Sequence, residues 1–181
     1  MKSRILRRPF EYLVARMALF VIPRMSRTSV LKLARSMGTL GYWIMRRERQ
    51  IGMANLAMAL PEATPPEHRR ILRTSVQTFA LSMLDTFWLA RDTKRRLEQL
   101  VIFDPEFRAQ VLVPGAQVCI TGHLGNWDVL GLAVSHQGYS LASVAAPLKN
   151  PWVDTLFNGL RHMAGQRTIP KKGALRHLIT A

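Results

Sequence analysis

The chain has 181 residues, 48% of them hydrophobic and 20% charged, which suits one domain with a sizeable core and excludes a disordered chain. Its formal net charge of +15 attracts anionic partners, so that anionic membranes and nucleic acids both qualify.

The amino-terminal region combines positive charge with an apolar run. Residues 1–50 hold twelve lysines and arginines but two acidic residues, and a dense apolar run extends from Phe10 to Ile22. That run is shorter than the roughly 18 to 20 residues of a spanning helix. A signal peptide has a similar pattern, but residues 23–27, which follow the run, lack the small-x-small pattern of a cleavage site. We therefore expect residues 1–50 to form a basic helical segment apposed to a membrane.

The next region reads as helical. Apolar periodicity predicts helices over residues 28–46 and 48–59. Thr64 and Glu67 then have the spacing of a capping box, which predicts a long helix over residues 66–90. The apolar residues of this helix form one stripe, which we expect to pack in the core.

From residue 111 the pattern changes to alternating strands and helices. The predicted strands cover residues 118–121, 140–145 and 167–169, and the predicted helices cover residues 126–134, 151–163 and 173–179. This order predicts an α/β fold, in which a helical amino-terminal part precedes a βαβ-type parallel sheet flanked by helices. Cys119 falls in the first of these strands, so we expect a buried and inert thiol.

The most informative segment is Gly-His-Leu-Gly-Asn-Trp-Asp at residues 122–128, between the first of these strands and the helix after it. Ligands bind at the carboxyl ends of strands in open α/β sheets, which is where His123 falls. On a continuous helix His123 and Asp128 would point roughly 140° apart, so they can meet only if His123 lies in a turn before the helix. Gly125 permits such a turn.

Paired in this way, the two side chains would support general base catalysis. The carboxylate of Asp128 would orient the imidazole of His123, and the other ring nitrogen would remove a proton from a hydroxyl. A structural explanation stays open for the spacing alone. A histidine at a strand end can cap the next helix, and an acid in its first turn favours the helix dipole.

The whole segment resembles the catalytic block of the bacterial late lipid A biosynthesis acyltransferases (lauroyl and myristoyl transferases) and of the similar phosphatidylinositol mannoside acyltransferases. The resemblance extends to residues 55–62, 147–151 and 170–173, so that it covers essentially the whole chain. It implies a glycerolipid acyltransferase-like fold, with residues 51–181 as the catalytic domain. His123 would be the general base and Asp128 its partner.

The resemblance also implies substrates and a location. A fatty acyl chain would pass from acyl-carrier protein or acyl-CoA to a hydroxyl of a lipid A precursor, or of a related glycolipid or lysophospholipid. The reaction would take place at the cytoplasmic face of the bacterial inner membrane, with anionic membrane lipid as a partner. No cofactor is implied beyond the acyl donor.

Substrate contacts follow from the same resemblance. Arg161 would hold a substrate phosphate or the developing oxyanion, although in isolation it reads as a charge at a helix end. The further substrate-binding candidates are Gly125, Asn126, Lys149, Lys171 and Lys172. Many relatives have an arginine where this chain has Ala146, so the phosphate contact expected there is either missing or supplied by Lys149. Relatives also continue with another strand that bears a Pro-Asp motif, which implies a fragment or a shortened relative of doubtful activity.

A protein without catalytic activity that binds a membrane or nucleic acid through its basic field is the alternative. Charge beside an apolar helix favours the membrane, and no nucleic-acid-binding motif is present. The other histidines lack the spacing of a metal site. We therefore expect neither nucleic acid nor metal as a partner.

Overall fold

A computed structural model describes residues 2–111, 113, 115–122, 124–163 and 165–179 of the chain. The described residues are mostly helical. In chain order the elements are α1 (Lys2–Val21), α2 (Arg27–Ile44), α3 (Arg46–Ala59), α4 (Pro65–Trp88), α5 (Thr93–Leu100), α6 (Pro105–Val111), α7 (Trp127–His136), β1 (Leu141–Ala145), α8 (Pro151–Met163), β2 (Gln166–Pro170) and α9 (Ala174–Ile179). A short 3-10 turn, Ile22–Arg24, connects α1 to the region before α2.

The hydrophobic core lies where α2, α4, α5 and α7 meet beside the 3-10 turn. Its buried residues are Ile22, Val30, Ala34, Leu84, Trp88, Leu89, Leu97, Leu132 and Ala133. Burial of one Leu or Val side chain contributes about 1.5–3 kcal/mol. The carboxyl-terminal half of α4 is therefore central to the fold, and α7 is attached to this core through its own second half.

Trp88 connects three parts of this core. Its indole N–H donates a hydrogen bond to the carbonyl of Met25 at 3.0 Å, and the guanidinium carbon of Arg96 lies 4.0 Å from the ring centroid. Arg96 is buried, and it donates to the carbonyl of Pro23 at 2.7 Å and to that of Trp88. Burial lowers the pKa of Arg96 from its ordinary value. Backbone carbonyls thus satisfy a buried cation and fix α5 against the end of α4.

The start of α4 confirms the predicted capping box. The backbone N–H and the hydroxyl of Thr64 both donate to Oε2 of Glu67, at 2.7 and 2.8 Å, and these hydrogen bonds lower the pKa of Glu67. The predicted apolar stripe is only partly buried. Leu84 is 4% exposed, but Phe79 is 56% exposed. The expectation that the whole stripe packs in the core is therefore wrong at Phe79.

Helix α1 turns its small residues inward and its large apolar residues outward. Ala15 is buried, and Ala18 packs against the core. Exposed residues at three- and four-residue spacing form an outer stripe, which comprises Phe10, Leu13, Val14, Met17, Phe20 and Val21. Over the described residues, none of the helices combines the length and the apolar character that crossing a membrane requires.

The sheet has two described strands. β1 and β2 pair in parallel, with α8 between them in the chain and a register that runs from Leu141 opposite Gln166 to Ala145 opposite Pro170. The coarse expectation of an α/β protein with a helical first part is confirmed. Its detailed sheet differs from the prediction, because residues 116–122 have no regular structure.

The predicted strand at residues 118–121 does not join the sheet. Among the described residues, β1 and β2 pair only with each other. Val118 and Ile120 are 91% and 97% exposed. The prediction of a buried thiol is also wrong, because Cys119 is exposed.

The crossing of α2 over α4 depends on a glycine. A Cβ atom added to Gly38 would lie 2.4 Å from Cα of Gln77, which is closer than any normal contact. One turn later, a Cβ atom on Gly41 would lie 3.6 Å from Cγ1 of Val76, an ordinary distance. Backbone approach of this kind is possible only without a side chain at position 38.

We therefore predict opposite effects for two glycine substitutions in α2. Gly38→Ala should lower the free energy of unfolding by about 1–3 kcal/mol, because the added methyl group separates the helices. Gly41→Ala should leave it unchanged or raise it by up to about 1 kcal/mol, through the higher helix propensity of alanine. Urea denaturation followed by circular dichroism measures both. Equal stability of the two variants would contradict this packing.

Candidate active site

Residues 124–126, here named the motif turn, lead into α7. Gly125 has a φ of +62°, in the left-handed region that glycine adopts without strain. Asn126 caps the helix, since its side-chain oxygen accepts a hydrogen bond from the N–H of Val129 at 3.1 Å. The predicted helix over residues 126–134 is confirmed, since α7 covers Trp127–His136 and Asn126 is its cap.

Asp128 lies in the first turn of α7 and pairs with an arginine of α8. Nη2 and Nε of Arg161 donate to the same carboxylate oxygen, Oδ1, at 2.7 and 3.1 Å. The side chains of Asp128 and Arg161 are 10% and 21% exposed, so water screens the pair weakly. No described residue donates a hydrogen bond to Oδ2 of Asp128. One oxygen is thus engaged, and the other can accept a further donor.

His123 lies outside the described residues. Its part in catalysis, and that of Asp128, therefore stay predictions. The structure establishes that Asp128 lies in the first turn of α7, two residues after the motif turn, and forms an ion pair with Arg161.

The predicted lysines lie at one edge of the sheet. Lys149 follows β1 and Lys171 follows β2, and the backbone N–H of Lys171 donates to the carbonyl of Ala145 at 3.1 Å. Lys172 is the next residue, and all three side chains are exposed. Their proposed phosphate contacts stay predictions. Arg161, which the resemblance assigned to substrate phosphate, contacts Asp128, and its role towards substrate is likewise untested.

A second carboxylate, Asp85 of α4, contacts the motif turn and was not predicted from the sequence. Asp85 is buried and forms an ion pair with Arg27 of α2. Its Oδ2 also accepts a hydrogen bond from the side-chain amide of Asn126 at 3.4 Å. One turn earlier, the hydroxyl of Ser82 lies 3.5 Å from the carbonyl oxygen of Gly125. Two successive residues of the motif turn therefore contact α4.

The sequence contains a signal for this contact. Asp85 interrupts the apolar stripe of α4, between Leu84 and Phe87. A carboxylate within a core stripe costs several kcal/mol unless a cation or hydrogen-bond donors compensate it, so a distant partner had to exist. The sequence does not indicate which of its many arginines supplies the charge.

Two open grooves lie near these residues. The first, of about 670 Å³, separates α1 from the segment 146–153, and its lining is mostly apolar, with Lys149 among its residues. The second, of about 490 Å³, lies between α4 and the motif turn and is named the α4 groove. Within the described part of the chain, no three His, Cys, Asp or Glu residues converge as metal ligands.

Comparison with known families identifies the chain. A family model described as bacterial lipid A biosynthesis acyltransferase matches residues 1–181. The chain belongs to this family. No characterised protein and no solved structure matches it significantly. Membership in the lipid A biosynthesis acyltransferases confirms the resemblance seen in the sequence, and it implies acyltransferase activity of the lipid A type.

In this lipid A biosynthesis acyltransferase, the buried Asp85–Arg27 pair should matter more for stability than an exposed pair. Asp85→Asn should lower the free energy of unfolding by about 2 kcal/mol or more, because Arg27 would lose its counter-charge in a partly buried position. The matched control, Asp92→Asn, removes the exposed pairs with Arg91 and Arg95 and should change the free energy of unfolding by about 0.5 kcal/mol or less. Urea denaturation measures both values. Similar losses in the two variants would show that burial does not strengthen the Asp85 pair.

Proposed function

We propose that the protein transfers a fatty acyl chain from acyl-carrier protein or acyl-CoA to a hydroxyl of a lipid A precursor or a related glycolipid. The transfer would take place at the cytoplasmic face of the bacterial inner membrane. The proposal rests on the family match over the whole chain together with one geometric observation, the partly buried ion pair of Asp128 with Arg161 two residues after the motif turn.

The ion pair suits Asp128 to orient a base. Arg161 holds the carboxylate by one oxygen, Oδ1, so Oδ2 can accept a hydrogen bond from an imidazole N–H. A histidine oriented in this way presents its second nitrogen, unprotonated, to the acceptor. In the chain, position 123 precedes α7 by four residues, and Gly125 and Asn126, which follow it, contact α4.

The acceptor hydroxyl is the nucleophile in the proposed reaction, so no nucleophilic side chain is required. His123 removes the proton of the acceptor hydroxyl, and the oxygen attacks the carbonyl carbon of the thioester. A C–O ester bond forms, the C–S bond breaks, and the imidazolium returns its proton to the leaving thiolate. Asp128 stabilises the imidazolium throughout, and Arg161 acts on the reaction through Asp128.

The outer stripe of α1 supports action at a membrane surface. Its large side chains are exposed, with Phe10 at 66% and Phe20 at 64%. Arginines 7, 8, 16 and 24 are exposed on and beside the same helix, where each adds about 1 kcal/mol of attraction to anionic lipid. An amphipathic helix of this composition lies in the headgroup region with its apolar face inward.

The same helix is joined to the element that carries Arg161. The side-chain amide of Asn150, at the start of α8, donates to the carbonyl of Arg8 and to Oε2 of Glu11, both at 2.9 Å. The rings of Tyr12 and Trp152 meet edge to face, with centroids 5.9 Å apart. A membrane contact through α1 would therefore place α8, and with it the candidate site, at a defined height above the lipid surface.

The catalytic role of His123 is tested by His123→Ala. This variant should lose acyl transfer by a factor of about 100 to 10,000, the usual contribution of a general base, while its urea midpoint stays that of the wild type. His136→Ala, an exposed histidine at the end of α7, is the matched control and should keep full activity. Product formation is measured by mass spectrometry with acyl-carrier protein thioesters and a lipid A precursor. Retained turnover in His123→Ala would end the proposed mechanism.

Membrane binding is tested by removing apolar groups from the outer stripe. Met17→Ser combined with Phe20→Ser should weaken binding to vesicles that contain anionic lipid by about tenfold or more, because two exposed apolar side chains no longer enter the lipid. Ile102→Ser combined with Leu175→Ser, exposed residues elsewhere, is the matched control. Vesicle sedimentation measures binding, and a DNA gel shift at the same salt concentration serves for comparison. Equal losses in both double variants, or tighter binding to DNA, would contradict the proposal.

A further inference from the structure

The α4 groove has one wall from a helix and one from the motif turn. Its volume of about 490 Å³ is within the range of small-molecule sites. Helix α4 contributes Arg70, Thr74, Ser75, Thr78 and Phe79, and the other wall includes Trp127. All five of these α4 side chains are exposed, so the groove is open to solvent.

The position of this groove is tied to the candidate active site. Gly125 and Trp127, which line it, flank the cap residue Asn126, and the buried carboxylate of Asp128 follows. Helix α4 also holds the motif turn through Ser82 and Asp85. One rigid helix therefore supports both the reacting segment and the groove beside it.

The wall of α4 offers hydrogen-bonding groups and a cation. Among the described residues, the hydroxyls of Thr74, Ser75 and Thr78 have no hydrogen-bond partner, and Arg70 has no salt bridge. The lining contains no acidic residue. Glu67, the acid one turn before Arg70, accepts hydrogen bonds from the backbone and hydroxyl of Thr64 and attracts Arg70 without forming a salt bridge with it. A single positive charge thus lies beside a row of polar groups.

These groups match a phosphorylated sugar. A sugar ring presents several hydroxyls that exchange hydrogen bonds with threonine and serine, and its apolar face packs on aromatic rings such as those of Phe79 and Trp127. The hydroxyls from Thr74 to Thr78 span four residues of helix, about 6 Å, which is comparable to one ring. Arg70 lies a further turn away, where its guanidinium can pair with a phosphate.

We propose that the α4 groove binds the phosphorylated sugar of the acceptor, with Arg70 on the phosphate and the hydroxyl row of α4 on the ring. This places the acceptor, and not the acyl donor, on the α4 side of the motif turn. The inference rests on the proposed function, because it assigns a substrate of that reaction to a subsite.

The kinetic test compares Arg70→Ala with Arg69→Ala in detergent micelles, which remove the contribution of an anionic membrane. Arg69 is exposed on the same helical turn but does not line the groove. Both variants lose one positive charge, so only the loss of a groove contact distinguishes them. Arg70→Ala should raise the KM for the acceptor about tenfold, leaving kcat and the KM for the donor within about twofold. Arg69→Ala should change none of these values beyond about twofold.

An acceptor without its phosphate completes the test. For the wild type, removing the phosphate from the acceptor should raise the KM about as much as the Arg70→Ala substitution does with the complete acceptor. For Arg70→Ala, removing the phosphate should raise the KM no further. A raised KM for the donor in Arg70→Ala, equal effects of Arg69→Ala, or additive losses with the acceptor that lacks phosphate would each overturn the assignment. The first of these outcomes would indicate the phosphate of the donor instead.

A binding measurement separates this inference from the proposed function. Equilibrium dialysis of a hexosamine 1-phosphate against His123→Ala needs no turnover. Binding that Arg70→Ala abolishes and Arg69→Ala keeps supports the groove even where no acyl transfer is found. If the enzyme is active but Arg70→Ala binds the hexosamine 1-phosphate as tightly as the protein with Arg70 does, the assignment of the groove is wrong and the proposed function stands.

Discussion

Burial of two carboxylates is the constraint on which much of this structure depends. Asp85 and Asp128 are both largely removed from water, and a buried carboxylate is tolerated only when a cation or several donors compensate its charge. In each case the cation comes from a helix far away in the chain. Arg27 is 58 residues from Asp85, and Arg161 is 33 residues from Asp128. Each pair therefore fixes the relative position of two elements in addition to satisfying one charge.

Helix α4 brings these constraints together. Its carboxyl-terminal half carries Leu84 and Trp88 into the core, and Asp85 between them reaches Arg27 on one side and Asn126 on the other. The part of α4 from Arg70 to Phe79 forms one wall of the open α4 groove, opposite the motif turn. One helix thus provides packing, charge compensation and a polar surface in successive turns. The motif turn, which has no regular structure, obtains its position from α4.

The structural features that were predicted correctly from the sequence are those that interactions between nearby residues determine. The capping box at Thr64 and the helix after Asn126 were accessible because residues a few positions apart decide them. The α/β class and the family followed from the same patterns and from residues 122–128. Long-range facts were not accessible, since no periodicity tells that Arg27 meets Asp85 or that Arg161 meets Asp128. The strand predicted at residues 118–121 failed for the same reason, because strand formation depends on a partner that the segment itself does not specify.

The buried pairs also bear on the charge of the surface. The chain has 26 basic and eleven acidic residues, and two of those acids are neutralised inside ion pairs. The exposed surface is therefore more uniformly basic than the composition alone suggests, although Arg96 is itself buried against backbone carbonyls. On α1, exposed arginines adjoin an exposed apolar stripe. A field of one sign attracts any polyanion, but only a lipid surface also accepts large apolar side chains, so the combination selects the membrane from the partners that charge allows.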